Sequence, residues 1–462
     1  MKVINIRHLS FKIRHFIRIY SHSHIHIFMS VRFVLIICLL LRVSFVFPQE
    51  FLSLRRAVEL GLENNFSIML QRNEAAVARN NNTPGNAGFL PSLDLNATQN
   101  NTFMTTHQEQ FSGTVKDVEN AQNNTFNAGL QLNWTLFDGM NMFVSYKMLG
   151  ILEDLGENGT RIVVEGTVYD ISLTYYSIIQ LRKLVRVALD AVDLSMQRKR
   201  IAAAKVSLGS GSQLMLLQST VDLNADSTSL IRTMVQLSAA RADLNQLMGF
   251  DPVMPFEVAD SIALGVPGSY DSLLHQALLQ NSQLIAARLN QDLARYGVRE
   301  AQSERYPQLD LNAGYTYGTL NSQTGFLKYN RSYGPSVGVS LTYNLFNGFN
   351  VNRAVKNARI MMNSGEIGVK DAELALKNSL YKTHRQFTAN LEIVKMQVTN
   401  VAVAKENVDI AFEKYKLGSI NDLELREIQQ KLIDAESQLI LSQFEAKKAE
   451  VELQRLCGNL LR

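Results

Sequence analysis

The sequence predicts an α+β membrane protein: long α-helical hairpins joined to four β-strands per chain, too few strands to close a barrel alone. Three observations predict it: the chain is internally duplicated, each half has a proline-free helix of about seventy residues, and its strands alternate apolar with polar residues.

The duplication comes first, because a missed repeat misreads the whole fold. Pro91-Ser92-Leu93-Asp94-Leu95-Asn96-Ala97 returns as Pro307-Gln308-Leu309-Asp310-Leu311-Asn312-Ala313, 216 positions later. Leu136-Phe137-Asp138-Gly139 returns as Leu345-Phe346-Asn347-Gly348, Leu208-Gly209-Ser210 as Leu417-Gly418-Ser419, and Leu247-Met248-Gly249 as Leu456-Cys457-Gly458, each 209 positions on. The change of offset puts one longer loop between Ala97 and Leu136. The expected organisation is an N-terminal extension and signal peptide (1–48), a first repeat (49–250), a linker carrying Pro252, Pro255 and Pro267 (251–270) and a second repeat (271–462).

Each repeat opens with a helix, expected over Leu54 to about Asn82 and Leu273 to about Glu304. Two strands follow. Phe126, Ala128, Leu130, Leu132, Trp134 and Leu136 alternate with polar or small residues, as do Val337, Val339, Leu341, Tyr343 and Leu345. This is the period-two pattern of a strand with one apolar face. The partner strands carry Leu93, Leu95, Ala97 and Leu309, Leu311, Ala313, Tyr315, Tyr317, with polar loops expected at Gln99–Asn124 and Thr319–Ser332. Next come the proline-free stretches Gly139–Leu208 and Gly348–Leu417. After a Gly/Ser turn, helices return over Gln213–Met248 and Asp422–Cys457.

Seventy helical residues reach about 105 Å, and the returning and leading helices laid end to end match that length. Leu216, Leu223, Leu230, Leu237 and Leu244 stand seven apart, and Leu425, Leu432, Leu439, Ala446 and Leu453 repeat the spacing, as a coiled-coil seam requires. Heptads alone fit a solid spacer. The strands argue for more: segments of this length and alternation suit a membrane barrel, and lipid tolerates no open sheet edge. Two chains would give eight strands and a filled interior; three would give twelve and room for water.

The extreme N-terminus holds many of the basic residues and the remainder of the chain is near neutral, so nothing points to nucleic acid. Phe33–Leu41, extended to Phe47, reads as a signal peptide, with Met29 a better start than Met1. His22, His24 and His26 precede that segment and carry no metal site. Of two cysteines, Cys38 falls in the signal segment, leaving Cys457 unable to form an intramolecular disulfide. No later segment is apolar enough to span a bilayer as a helix. No nucleophile–base set, phosphate loop or metal spacing is present, so the chain reads as a non-enzyme without cofactors. Trp134 is either an interfacial anchor or a packing residue.

The ordered motifs Phe89-Leu90-Pro91-Ser92-Leu93 with Arg305-Tyr306-Pro307-Gln308-Leu309, Trp134-Thr135-Leu136-Phe137-Asp138-Gly139 with Tyr343-Asn344-Leu345-Phe346-Asn347-Gly348, and Tyr415-Lys416-Leu417-Gly418-Ser419 resemble the TolC family of outer-membrane efflux channels, over about Phe51 to Leu460. The resemblance implies a homotrimer with a twelve-stranded barrel in outer-membrane lipid and an α-barrel through the periplasm of a Gram-negative bacterium. It implies a periplasmic adaptor (membrane fusion) protein and an inner-membrane pump of RND, ABC or MFS type as partners. It places a ring of acid at the periplasmic mouth, matched here by Glu424 and Glu427 with Asp422 nearby, where Met215 and Gln218 stand in the first half. The tips Leu208, Gly209, Ser210 and Leu417, Gly418, Ser419 would meet the adaptor, and Gly139 and Gly348 mark strand-to-helix bends. The competing reading is a structural periplasmic coiled-coil protein without a pore.

Overall fold

The computed structural model describes residues 51–259, 261–324 and 327–461. The expected signal segment, Met29, Cys38 and the three N-terminal histidines lie outside the described residues. In chain order the elements are β1 (Phe51–Leu52), α1 (Leu54–Asn64), α2 (Phe66–Asn81), β2 (Ser92–Glu109), β3 (Val115–Asp138), α3 (Asn141–Ser207), α4 (Gln213–Leu247), β4 (Glu257–Val258), α5 (Tyr270–Gln280), α6 (Ser282–Ser303), β5 (Gln308–Ser322), β6 (Tyr329–Thr342), α7 (Asn350–Lys416) and α8 (Asp422–Leu456). Residues 51–53 and 255–259 belong to a small compact unit in which β1 and β4 pair in parallel; nearly all the rest forms a second unit.

The second unit repeats element for element. Helices α3 and α7 both have 67 residues, and α4 and α8 both have 35. Each leading helix, expected to be continuous, is broken at an asparagine. The Asn65 side chain caps α2 by accepting from the Ser67 and Ile68 amides, and its Nδ2 donates to Leu247 O at 2.9 Å. Asn281 repeats the arrangement, accepting from Leu284 N and donating to Leu456 O at 3.1 Å. Asparagine satisfies amides at a helix start that would otherwise lack partners, and here it also ties the break to the end of the returning helix.

Alongside the upper part of α3 runs α2, where Gly156 lets the backbones approach at Ala75; alongside its lower part runs α4. The seams bury Leu244 in the first repeat and Leu425, Leu432, Ala446, Ala449, Leu453 and Leu456 in the second. Leu380, Phe387, Leu453 and Leu456 close one cluster, each contributing about 1.5–3 kcal/mol of burial. The Cys457 thiol lies in this cluster, where burial pushes its pKa up to about 11. No described helix is long and apolar enough to cross a membrane.

The strands form one antiparallel sheet in the order β2-β3-β5-β6. Its register sorts the side chains into rows. Leu93, Leu132, Ala313 and Val337 align across the four strands, as do Leu95, Leu130, Tyr315 and Pro335, then Ala97, Ala128, Tyr317 and Tyr333. The intervening rows are polar or small: Asp94, Gln131, Gly314, Ser336, then Asn96, Gly129, Thr316, Gly334. The chain's own helices leave the apolar face open, with Leu95 74% and Val337 76% exposed. A water-soluble sheet would have covered it.

The strands run further than expected. Much of Gln99–Asn124 is β-hairpin, turning only at 110–114, and the second hairpin's strands reach Ser322 and resume at Tyr329. Alternation is imposed where one face meets an apolar medium; beyond the Phe126 row the apolar residues, such as Phe103, Met104 and Val118, are few and fall out of step, so period two vanishes while backbone pairing continues.

At the base of β3, Gly139 (φ +72°) and Met140 (φ +72°) are both left-handed, as are Gly348 (φ +67°) and Phe349 (φ +62°) in the second repeat. The surroundings differ. A Cβ on Gly139 would sit 2.3 Å from Ser303 O, whereas at Gly348 the nearest atom is 4.0 Å away. Gly348→Ala should therefore cost about 1 kcal/mol of left-handed strain, and Gly139→Ala at least about 2 kcal/mol more. Thermal unfolding of the two variants side by side checks the order.

Candidate functional site at the hairpin tips

Both tips are built alike. Gly209 (φ +70°) and Gly418 (φ +74°) take the left-handed cap position, and the amides of Ser210 and Ser419 reach back to Lys205 O and Lys414 O at 2.9 Å each. This geometry ends a helix by satisfying its last carbonyls. It leaves Leu208 and Leu417 each 81% exposed at the extreme end.

Immediately behind the tips lies a cluster that ties the two hairpins together. Arg198 of α3 is fully buried. It pairs with Asp222 of α4, and its Nε lies 3.2 Å from Asp422 Oδ1 of α8. Arg426 of α8 grips Asp226 of α4 through Nη1 at 2.8 Å and Nη2 at 2.9 Å. The Ser195 hydroxyl of α3 donates to Asp226 and accepts from Arg426. Such two-toothed pairing is geometry only arginine supplies. The Tyr415 hydroxyl of α7 donates to Asp422 Oδ1 at 3.1 Å, and Lys205 Nζ lies 4.1 Å from the Tyr415 ring centroid. Burial, then the charge of Asp422 and its hydrogen bond, push Tyr415 up to about 12.

The three expected acids are therefore in three different situations. Asp422 is engaged with Arg198 and Tyr415, its side chain 12% exposed. Glu427 is exposed and paired with Lys431 at 2.8 Å, whose hydrogen bond holds its carboxyl below the usual range. Glu424 is exposed, and among the described residues its carboxylate has no ion-pair partner. Met215 approaches Tyr415 through its sulfur at 4.0 Å. Arg198, Asp222, Asp226 and Ser195 were not anticipated. A signal existed: Asp222 and Asp226 are four apart, and Ser195 and Arg198 three apart, so each pair shares a helix face.

Tyr415→Phe removes the hydroxyl that faces a sequestered carboxylate, and should cost about 1–2 kcal/mol locally. The raised pKa also sets a sign. The folded state favours the neutral phenol, so its contribution is complete below pH 10 and is lost as pH rises from 10 to about 12. Alkaline titration of tyrosine absorbance, native minus Tyr415→Phe, should show one phenol ionising late.

Four helices meeting at two capped tips, below a sheet with one uncovered apolar face, match known proteins. The family model described as outer membrane efflux protein matches residues 273–459. The chain is 24% identical over 427 residues to the alkaline protease secretion protein AprF of Pseudomonas aeruginosa, covering 88% of this chain and 85% of that one. It is 21% identical to outer membrane protein TolC of Escherichia coli K12, over 80% and 75% of the two chains. A solved structure of the outer-membrane channel OprN superposes with a TM-score of 0.73 at 17% identity, over 88% and 90%. The chain is thus similar to the TolC family of outer-membrane efflux channels, in sequence over its second repeat and in fold over most of its length. Its fold is the α+β channel fold of that family, and it resides in the outer membrane of a Gram-negative bacterium. The TolC family consists of channels rather than enzymes, in keeping with a site made of ion pairs.

Proposed function

We propose that three copies of this chain close a single conduit, and that this conduit is the outer-membrane part of a three-part export system with a periplasmic adaptor and an inner-membrane pump of RND, ABC or MFS type. It passes small molecules or secreted protein from the periplasm to the exterior. One observation carries the reading: both sides of the chain are unfinished in the same way. β2 and β6 are edge strands running in opposite directions, so β6 of one copy can pair antiparallel with β2 of the next. The helices beneath those edges carry exposed apolar heptads. On α7 these are Ile360, Ile367, Leu374 and Tyr381, then Met396, Val403 and Ile410. The other side offers Phe66, Leu70 and Val77 on α2 and Leu214, Leu217 and Val221 on α4. Repeating one head-to-tail contact until it closes removes every edge, and three copies give twelve strands and a wet lumen.

In that ring Glu424, the unpaired acid, is the aperture residue that repels anions and draws cations, with Glu427 weakened by Lys431 and Asp422 holding the hairpins together. Leu208, Gly209, Ser210 and Leu417, Gly418, Ser419 form the adaptor-docking surface. The name of the AprF relative favours protein as cargo. A non-channel coiled-coil protein would leave the apolar rows facing water. The test is protein extracted from outer membranes in detergent: a mass of three chains, conductance in planar bilayers and co-purification with adaptor and pump are expected. A monomeric, non-conducting species would overturn the proposal.

A further inference from the structure

A second feature lies at the other end of the helices, where strands become rods. Phe143, Tyr146 and Lys147 of α3 face Tyr296, Arg299 and Tyr306 at the end of α6 across a cavity of about 720 Å³. Arg299 lies over the Tyr296 ring, 5.2 Å from its centroid. Among the described residues no carboxylate forms an ion pair with Lys147 or Arg299, and both are exposed.

Phe143 and Tyr146 connect the cavity to the apolar face of the sheet. Trp134 belongs to the apolar face of the sheet, in the row of Leu311 and Val339. Its indole N–H donates to Phe89 O at 2.9 Å, and the Phe89 ring packs edge-on against Phe143 at 5.0 Å and Tyr146 at 6.2 Å. Arg305, which also lines the cavity, stands in the second repeat at the position of Phe89 and donates to Asn352, at the position of Phe143. An adjoining hollow, which shares Ser303 and Tyr306 with the cavity, is more polar, with Asp138, Asn141, Glu304, Gln308, Asn344 and Asn347 in its lining. The aromatic cavity is also central in the chain. It sits beneath β3 and β5, between α3 and α6, while further copies join at β2 with α2 and at β6 with α7. Lys147 lies only about 9 Å along α3 from its first residue, within the headgroup layer when the apolar rows occupy hydrocarbon.

We propose that this cavity binds one anionic glycerophospholipid of the inner leaflet. Its phosphate lies between Lys147 and Arg299, and its acyl chains lie along Phe143, Tyr146 and the apolar rows above. Cations next to apolar surface continuous with the bilayer match that amphiphile, and aromatic rings suit the boundary. The inference rests on the outer-membrane location and on the ring of copies proposed above.

The experiment uses the full protein from outer membranes, delipidated in detergent and offered phosphatidylglycerol, with native mass spectrometry as readout. One lipid retained per chain is expected. Lys147→Gln with Arg299→Gln should weaken retention about ten-fold or more, while Lys147→Arg with Arg299→Lys should hold it within about three-fold. Heat-modifiable migration reports the fold of each variant. A loss below about three-fold in the glutamine variant overturns the proposal. Equal retention of phosphatidylcholine also overturns it, as does displacement by equimolar inorganic phosphate. Conductance on the same samples separates outcomes: a conducting channel without bound lipid sinks this inference alone.

Discussion

Arg198→Ala is expected to loosen both hairpin tips by about 3–5 kcal/mol, the cost of stripping one partner from a buried ion pair. Arg198 is buried completely, against Asp222 and Asp422 whose side chains are 15% and 12% exposed. Removing the guanidinium leaves two carboxylates in a site that water reaches poorly, with Arg426 and the neutral donors Tyr415 and Gln218 to offset them. Amide exchange should rise by about two to three orders of magnitude in the tip segments 195–226 and 411–430, and stay unchanged around the Phe387 cluster. Arg198→Met keeps the packing of the stem and should lose nearly as much, which separates charge from volume. Adding Asp222→Asn to Arg198→Met should recover part of the loss, because the pair is coupled. The exposed pair of Lys431 with Glu427 supplies the contrast: Lys431→Ala should leave tip exchange within about three-fold. Exchange in Arg198→Ala no faster than in Lys431→Ala would mean the cluster holds nothing together.

This cluster also marks where the sequence stops being legible. The duplication was readable because copied segments keep their spacing, and it delivered the two 67-residue helices and their 35-residue partners within two residues. Alternation likewise found the four strands, because a sheet with one apolar face imposes period two. Each failure has one form: a local pattern compatible with two outcomes, decided by a distant group. Asn65 and Asn281 sit in otherwise helical stretches, and the helix breaks because Leu247 O and Leu456 O, more than 170 positions away, accept their amides. Gly139 and Gly348 share a motif, yet only Gly139 lies against a neighbouring carbonyl. The partner of Asp422 was illegible because Arg198 is 224 residues upstream, on a helix whose lower neighbours no periodicity identifies. Arg426, between Glu424 and Glu427 in the sequence, is half of the bond between the hairpins.

The largest effect belongs to the sheet, and it distinguishes its two faces. Leu130 lies midway between the Phe126 and Trp134 rows, in line with Leu95, Tyr315 and Pro335. Arginine at the centre of a lipid-facing band costs about 2–4 kcal/mol per chain, and in a ring of three copies the cost recurs at every chain. Leu130→Arg should therefore abolish heat-resistant assembly and empty the outer-membrane fraction of folded protein. Thr316 is one row away, level with Asn96, Gly129 and Gly334, and points to the opposite face. Thr316→Arg introduces the same side chain within about 5 Å of the first along the sheet normal to its rows, yet should assemble normally, because a cation in a wet lumen keeps its hydration. Its mark should be functional: in the proposed ring of three copies, the added charges should shift ion selectivity toward anions in bilayer recordings. Two single substitutions on neighbouring residues thus have opposite expected fates for one reason, that the apolar rows meet hydrocarbon and the polar rows meet water. Equal failure of both variants would reduce the alternation to packing, and normal insertion of Leu130→Arg would remove lipid from that face.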